Sequence, residues 1–364
     1  MAALRAGIIG AGFIGGVHAY AVRASGEIVS QVADHSPEAA AEAAVRLGAR
    51  SGAQSVEALI GSDEVDVVHI CTPNNTHYGL ALAAIQAGKA VICEKPLATS
   101  AEDAAHLVAA ASEAGAVTAV PFVYRFYPSV REARYRIGAG DAGDLWMLHG
   151  SYLQDWLSSS QETNWRVDPA AGGGSRAFGD VGVHWCDLME FTTGHRITRL
   201  VSKMATAYAS RGGEREVSVV GTEDGATVLF ETDRGATGAL VASQVSLGRK
   251  NRLWFSFDGT RAAYVFDQEL PDSLWVGGRS ASQVIPRGPD TFTAGAGAQY
   301  ARLPAGHPQG YQDSFTAFIG DAYAAVAGQR PEGLPSFADG HLAAVITEAV
   351  LTSAAKDSWV EVPA

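Results

Sequence analysis

Five short apolar runs punctuate the first third of the chain: Ala6–Ile9, Glu27–Ala33, Val65–Cys71, Ala90–Cys93 and Val117–Val120. Each is closed by glycine, proline or a polar turn, and none alternates strictly between apolar and polar. That pattern predicts strands buried on both faces, as in a parallel sheet. Between them lie alanine-rich stretches with helical periodicity, over Phe13–Ala24, Glu38–Leu47, Ser55–Ile60, Thr76–Ala87 and Ser100–Ala114. Pro37 opens one of these, and Ser100 caps another with Glu102 and Asp103 in its first turn. Gly48, Gly88 and Gly115 stop three of them. Strand and helix alternate throughout, which predicts an α/β domain with a doubly wound parallel sheet over residues 1–121.

The pattern changes at Phe122. A helix is expected over Val130–Ile137, a strand over Trp146–Trp156, a loop over Leu157–Ala177 and a helix from about Asp180 to Gly194. Strand-like runs then follow at short intervals: Leu200–Ala209, Glu216–Gly221, Ala226–Glu231, Ala236–Val245, Arg252–Phe257, Ala262–Phe266 and Ser273–Val276. Gly221–Gly225 and Asp233–Gly235 read as hairpin turns. This predicts a second domain, residues 122–364, built on a mainly antiparallel sheet with a helix on one face. Asp290–Pro308 reads as structurally loose. Two closing helices, Tyr311–Ala327 and Asp339–Lys356, are free to pack on either domain.

With 364 residues the chain is too long for one ordinary core, in keeping with two domains. A formal net charge of −12 without a Lys/Arg cluster argues against nucleic acid and against anionic membrane surfaces as partners. The apolar N-terminus runs straight into a glycine turn and reads as a strand, not a secretion signal. Cys71, Cys93 and Cys186 sit in apolar runs without metal-ligand spacing. They read as buried thiols of a reducing, cytoplasmic compartment.

The glycine turn carries the first chemistry. Gly10, Gly12 and Gly15 spell G-x-G-x-x-G between a strand and a helix, and Asp34 follows nineteen residues after Gly15 at the end of the next strand. Gly10 permits the turn, Gly12 admits a pyrophosphate to the backbone and Gly15 lets helix and strand approach. The helix N-terminus faces the phosphates, and Asp34 accepts from the adenosine ribose. The same carboxylate repels a 2′-phosphate, and no Arg follows in His35-Ser36-Pro37, so NAD is expected over NADP. In such sheets ligands gather beyond the carboxyl ends of the strands. Those ends are Gly10–Gly15 (with Phe13 and Ile14), Asp34, Cys71-Thr72-Pro73-Asn74 with nearby His77, Glu94-Lys95-Pro96 and Pro121–Arg125. Pro96 gives the Lys95 stem a rigid base, which sets the pair apart from a solvated Glu-Lys in a loop.

Asp180 and His184 stand four apart at the start of a helix and so share a face, with Asp187 near the same stripe. One assignment makes His184 a general base, with a neighbouring carboxylate stabilising its protonated form and Lys95 steadying charge on the reacting oxygen. The alternatives are a packing histidine, an Asp180 that only caps its helix, and a metal held by Asp180, His184 and Asp187. No further His or Cys at ligand spacing supports the metal.

Together these segments resemble the glucose-fructose oxidoreductase / inositol dehydrogenase / MocA family. The resemblance rests on G-x-G-x-x-G at Gly10–Gly15, Asp34, C-T-P-N at Cys71–Asn74, E-K-P at Glu94–Pro96 and G-D-V-G-V-H-W-C-D at Gly179–Asp187. It implies a Rossmann domain followed by an open-faced sheet domain whose face mediates homodimer or homotetramer formation. It further implies Lys95, Asp180 and His184 as the active-site trio and a sugar or cyclitol as substrate. Some members recycle the bound cofactor in glycosidase or epimerase chemistry, some reduce keto-sugars, and some bind without catalysis. Substrate contacts are expected from Tyr124, Arg125, Tyr152, Gln154, Asp155, Trp156, Trp165 and Arg166. Their aromatic faces and polar groups suit a hydroxylated ring, although such residues also build cores and interfaces.

Overall fold

The computed structural model describes residues 3–212 and 218–363. The first third runs β1 (Arg5–Ile9), α1 (Phe13–Ala24), β2 (Ile28–Ala33), α2 (Pro37–Leu47), β3 (Ser51–Gly52), α3 (Val56–Ile60), β4 (Val67–Ile70), α4 (His77–Gln86), β5 (Ala90–Cys93), α5 (Ala101–Ala114) and β6 (Thr118–Ala119). Among the described residues, six strands form one parallel sheet in the order β3-β2-β1-β4-β5-β6. The order reverses between β1 and β4, so the crevice for a ligand opens at their carboxyl ends. The helix ends follow the expected chemistry: the side chains of Ser36, Ser55 and Ser100 cap α2, α3 and α5. The sequence pattern gave no sign of β3, a two-residue Ser-Gly strand too short to leave an apolar run.

The chain continues with α6 (Pro128–Gly138), β7 (Leu145–Leu153), α7 (Pro169–Gly172), α8 (Val183–Thr193), β8 (Ile197–Ala205), β9 (Ser210–Arg211), β10 (Ser218–Val219), β11 (Gly225–Thr232), β12 (Thr237–Ser243), β13 (Arg252–Gly259), β14 (Ala263–Asp267), β15 (Ser273–Gly277) and β16 (Ser282–Pro286). It ends with α9 (Gly297–Tyr300), α10 (Tyr311–Val326), α11 (Phe337–Lys356) and β17 (Val360–Glu361). Nine of these strands form a sheet in the order β16-β15-β14-β13-β7-β12-β11-β8-β17. Its pairs are antiparallel except β12 with β7.

Four expectations need correction here. Gly221–Gly225 is not a hairpin turn, because β10 pairs with β9 whereas β11 pairs with β8 and β12. Of the strand expected over Glu216–Gly221, Glu216 and Val217 lie outside the described residues. The strand expected to reach Trp156 stops at Leu153, which leaves Gln154, Asp155 and Trp156 in the following turn. Asp290–Pro308 is not loose. Buried Arg287 donates to the Leu303 carbonyl (2.8 Å) and to Gln309 (2.7 Å), and buried Glu132 accepts from Thr293 N (2.8 Å).

The chain divides into two compact units. One comprises the residues up to Val123 with Tyr311–Ala344, and the other Tyr124–Gly310 with the residues from Val345 onward. In the first unit α10 packs along α1, with Phe315 edge-on to His18 at 4.8 Å. In the second, α8 covers one face of the large sheet. Trp185 is buried against Phe230 and Phe257, and its indole donates to the Trp254 carbonyl at 2.9 Å. The opposite face leaves Leu229, Val241 and Trp275 exposed.

Candidate active site

The glycine turn is explained by space. Gly10 has φ +91°, in the left-handed region that favours glycine, and a Cβ there would lie 2.7 Å from the Cys71 carbonyl oxygen. A Cβ on Gly15 would lie 2.1 Å from the Gly10 carbonyl oxygen, so any larger residue displaces the turn. Gly12 differs: nothing lies within 4 Å of its Cβ position. Gly12 is also the N-cap of α1, which has no side-chain cap and no acid in its first turn. Main-chain N–H groups at the positive end of the helix dipole therefore face open space. This fits a diphosphate, the anion a dinucleotide would bring.

Around that cradle, Asp34 is fixed at the end of β2. One oxygen accepts from Ala11 N (3.1 Å), and the other from His35 N (2.7 Å), with the His35 ring at 2.8 Å. Burial alone would raise its pKa, but the hydrogen bonds from His35 and Ala11 outweigh burial and hold it below the usual value. Arg46 donates to the Ala11 carbonyl at 2.8 Å, a brace on the turn that the sequence did not reveal. Phe13 is largely exposed and Ile14 half-buried, both in the first turn of α1. Cys71 is buried, its thiol pushed well up chiefly by burial, so it offers main-chain atoms and no thiolate. Thr72 bonds Thr76 (2.6 Å), and Asn74 opens a tight helical turn after Pro73.

His77 lies beneath this surface, buried, with Nδ1 2.7 Å from the Pro96 carbonyl and Nε2 2.9 Å from the Thr72 carbonyl. It ties the Thr72 turn to the Glu94–Pro96 turn. Lys95, half-buried, follows β5, and its main-chain N–H donates to Glu94 at 3.2 Å.

The second unit supplies a different kind of construction. The helical run does not begin at Asp180, as the sequence suggested. Residues Phe178–Gly182 form a π turn, and α8 begins at Val183. The cause is Glu223, whose carboxylate accepts from Ser175 Oγ (2.7 Å), Arg176 N (3.0 Å) and Phe178 N (2.9 Å). It satisfies main-chain donors ahead of the turn and sets the wider winding. Asp180 sits inside this turn rather than capping it. It accepts from Gln244 Nε2 (2.7 Å), with Arg166 Nε at 3.5 Å and the Arg166 guanidinium stacked on Trp165.

His184, one turn on, is buried with the Tyr124 ring edge-on at 5.1 Å and Tyr152 at 6.1 Å. The Tyr124 and Tyr152 hydroxyls bond each other. Tyr152 donates to Asn251 Oδ1 (2.7 Å), Gln154 donates to the same oxygen (2.8 Å), and the Trp156 indole donates to Gln154 (2.8 Å). Burial pushes the Tyr124 phenol up to about 12 despite hydrogen bonds from Tyr152 and Asn251.

Three residues from the sequence list have other employment. Arg125 forks onto Asp187, both nearly buried, so that carboxylate is a counter-ion rather than a partner for His184. Asp155 accepts from Lys250 (2.7 Å) and Gly248 N (3.1 Å), which pins the turn after β12. Asn251, Gln244 and Glu223 were missed, because each joins the site only through the pairing of β7 with β13 or the course of the chain around β11 and β12.

Comparison with known proteins decides the family. Residues 4–122 match the family model described as the GFO/IDH/MocA oxidoreductase family, NAD-binding Rossmann fold, and residues 130–265 match its C-terminal domain. The chain belongs to this family. It is 33% identical to levoglucosan dehydrogenase of Pseudarthrobacter phenanthrenivorans over 99% of this chain and 98% of that one. Among solved structures it is similar to levoglucosan dehydrogenase in complex with NADH and L-sorbose. There the TM-score is 0.93 and the identity 31%, with both chains covered in full. It is also similar to an inositol dehydrogenase homologue from Azotobacter vinelandii complexed with NAD+, with TM-score 0.86, 26% identity and 99% and 97% coverage. The cofactor of the family's Rossmann domain is NAD, which agrees with the open helix end and with Asp34.

Proposed function

We propose that this protein oxidises a secondary hydroxyl of a neutral sugar or cyclitol ring, with NAD bound along Gly10–Gly15, Asp34 and Cys71–Asn74. The observation that carries this reading is the network beside His184. Tyr124, Tyr152, Asn251, Gln154 and Trp156 form a connected rim of hydroxyl, amide and indole groups with aromatic faces. Such a rim matches a ring with apolar C–H faces and peripheral hydroxyls. Levoglucosan and L-sorbose, named for the similar dehydrogenase, are ligands of that kind.

Bound NAD supplies the hydride acceptor. His184 takes the hydroxyl proton as general base, and the Asp180 carboxylate favours the imidazolium that results. Lys95 donates to the reacting oxygen and stabilises the negative charge growing on it. Tyr124 keeps its proton at neutral pH, being raised to about 12, and so acts as a neutral donor rather than a base. Trp165 and Arg166 stand beside Asp180, and Arg166 fixes that carboxylate. The exposed apolar face with Leu229, Val241 and Trp275 supports assembly of two or four copies through the large sheet. Three buried free cysteines suit a reducing cytoplasm.

The test is NADH absorbance with a panel of levoglucosan, ketoses, aldoses and inositols, run with NAD and with NADP. The expected result is steady NADH formation with at least one ring substrate and a preference for NAD. Absence of NADH with every member, from protein shown to bind NAD, rejects the proposal.

A further inference from the structure

Beneath the Glu94–Lys95–Pro96 turn lies a buried line of titratable side chains that the proposed reaction does not use. His18 on α1 and His69 on β4 are fully buried, and their Nδ1 atoms are 2.8 Å apart. His18 Nε2 lies 3.1 Å from Glu94 Oε1, and His69 Nε2 lies 2.9 Å from the Tyr323 hydroxyl on α10. All four residues belong to the first unit, although His69 and Tyr323 are 254 positions apart. Phe315 packs edge-on against the His18 ring and holds its orientation.

The two ends of the line fix its direction. A carboxylate only accepts, so His18 Nε2 carries a proton toward Glu94. At the other end, the Tyr323 hydroxyl has no hydrogen-bond partner among the described residues except His69 Nε2. A buried O–H must be used, so it donates, and His69 Nε2 is bare. His69 then carries its proton on Nδ1 and donates to the bare Nδ1 of His18. Burial acts in the same sense: it holds His69 well below its ordinary value, helped by His18, and Tyr323 well above its own. Both are therefore neutral, and every proton in the line has one acceptor.

The line ends where Lys95 begins. Glu94 takes His18 on one oxygen and the Lys95 main-chain N–H on the other, at 3.2 Å. The carboxylate thus cannot turn without releasing one of them.

We propose that His18, His69 and Tyr323 are positioning residues. They form a one-way hydrogen-bond relay from the Tyr323 hydroxyl to the Glu94 carboxylate that fixes the Glu94–Lys95–Pro96 turn and thereby the Lys95 amine. The proposal rests on the role given to Lys95 above. It adds that α1 and α10 help to set the catalytic geometry as well as the cofactor cradle.

Two variants separate positioning from packing. In His18→Gln the amide nitrogen reaches the place of Nε2 and still donates to Glu94. In His18→Asn it reaches only the place of Nδ1. The Asn variant is expected to lose at least tenfold in kcat with NAD affinity within threefold of the parent, and the Gln variant to recover to within threefold. Histidine 15N NMR of the unaltered protein with NAD alone reads the relay directly: His18 protonated at Nε2 only, His69 at Nδ1 only. This second readout needs neither substrate nor variants. A protein that shows these tautomers but turns over nothing in the panel refutes the functional reading and not the relay. A proton on His69 Nε2, two protons on either ring, or equal kcat in the Gln and Asn variants overturns the relay.

Discussion

The two units build their parts of the active site in opposite ways. The first presents main chain: an uncapped helix end, a left-handed glycine and an open space over Gly12. Its side chains mostly brace from behind, as His77, Arg46 and the His18–His69 pair do. The second presents side chains held by other side chains: Asp180 by Gln244, Tyr152 by Asn251, and the π turn by Glu223. Main-chain groups recognise what every dinucleotide shares, its diphosphate. Networks of amide, phenol and indole can be rebuilt one residue at a time without disturbing cofactor binding. The proposed division of labour is therefore also a division of evolvability: a fixed cofactor half and an adjustable substrate half.

Substitutions that affect one half and spare the other test that contrast. Lys95→Ala and His184→Ala are each expected to lower kcat about a hundred- to ten-thousand-fold, the usual worth of a positioned acid or base. NAD affinity by fluorescence titration should change little in either, and turnover near the parent value would remove the residue from its role.

Next in size is Asp224→Asn. Asp224 is the buried counter-ion of Arg176 and Arg211, and Arg211 also holds the Ser159 carbonyl in the loop before the π turn. Stranding two buried guanidinium groups is expected to cost about 3–5 kcal/mol by denaturant titration. The same group sets an acid limit. Burial raises its pKa, but Arg176 and Arg211 outweigh burial and hold it below the usual value. Its contribution is thus fully present above roughly pH 4 and is lost as the pH falls through the lower folded value. In Asp224→Asn the acid-side loss of stability in unfolding titrations should shrink.

Gly12→Val comes third. The side chain enters open space, so Tm should stay within about 2 °C, while NAD binding by titration weakens at least about tenfold, or about 1.4 kcal/mol. The smallest effect is expected from Asn251→Ala, which removes the oxygen shared by Tyr152 and Gln154. At about 1 kcal/mol, KM for the sugar should rise about fivefold with NAD affinity unchanged. A change in NAD affinity there would blur the contrast between the halves.

The same contrast explains what could be read in advance. Strands β1, β4 and β5 are buried on both faces, so they appear as unbroken apolar runs, and the residues at their ends are contiguous in sequence. The cofactor segments therefore announced themselves locally. The helix carrying His184 was also visible, but its π turn was not. The turn depends on Glu223, 45 positions from Phe178, in a segment that reads as an ordinary hairpin turn. Asn251 joins the rim through bonds spanning 97 and 99 positions, a distance at which periodicity carries no information. The His18–His69 relay was equally silent. Each histidine sits in an apolar segment where a packing role reads just as well, and only the sheet register brings β4 beside α1.

The central claim is that Lys95, from the first unit, and His184, from the second, serve one chemical step on one hydroxyl. A double-mutant cycle in kcat/KM tests it most directly, using the parent, Lys95→Ala, His184→Ala and the double variant with a substrate found in the panel. Residues acting on the same step are grossly non-additive, so the double variant should be little slower than the slower single one. Losses that multiply across the cycle would show two independent contributions and contradict the account.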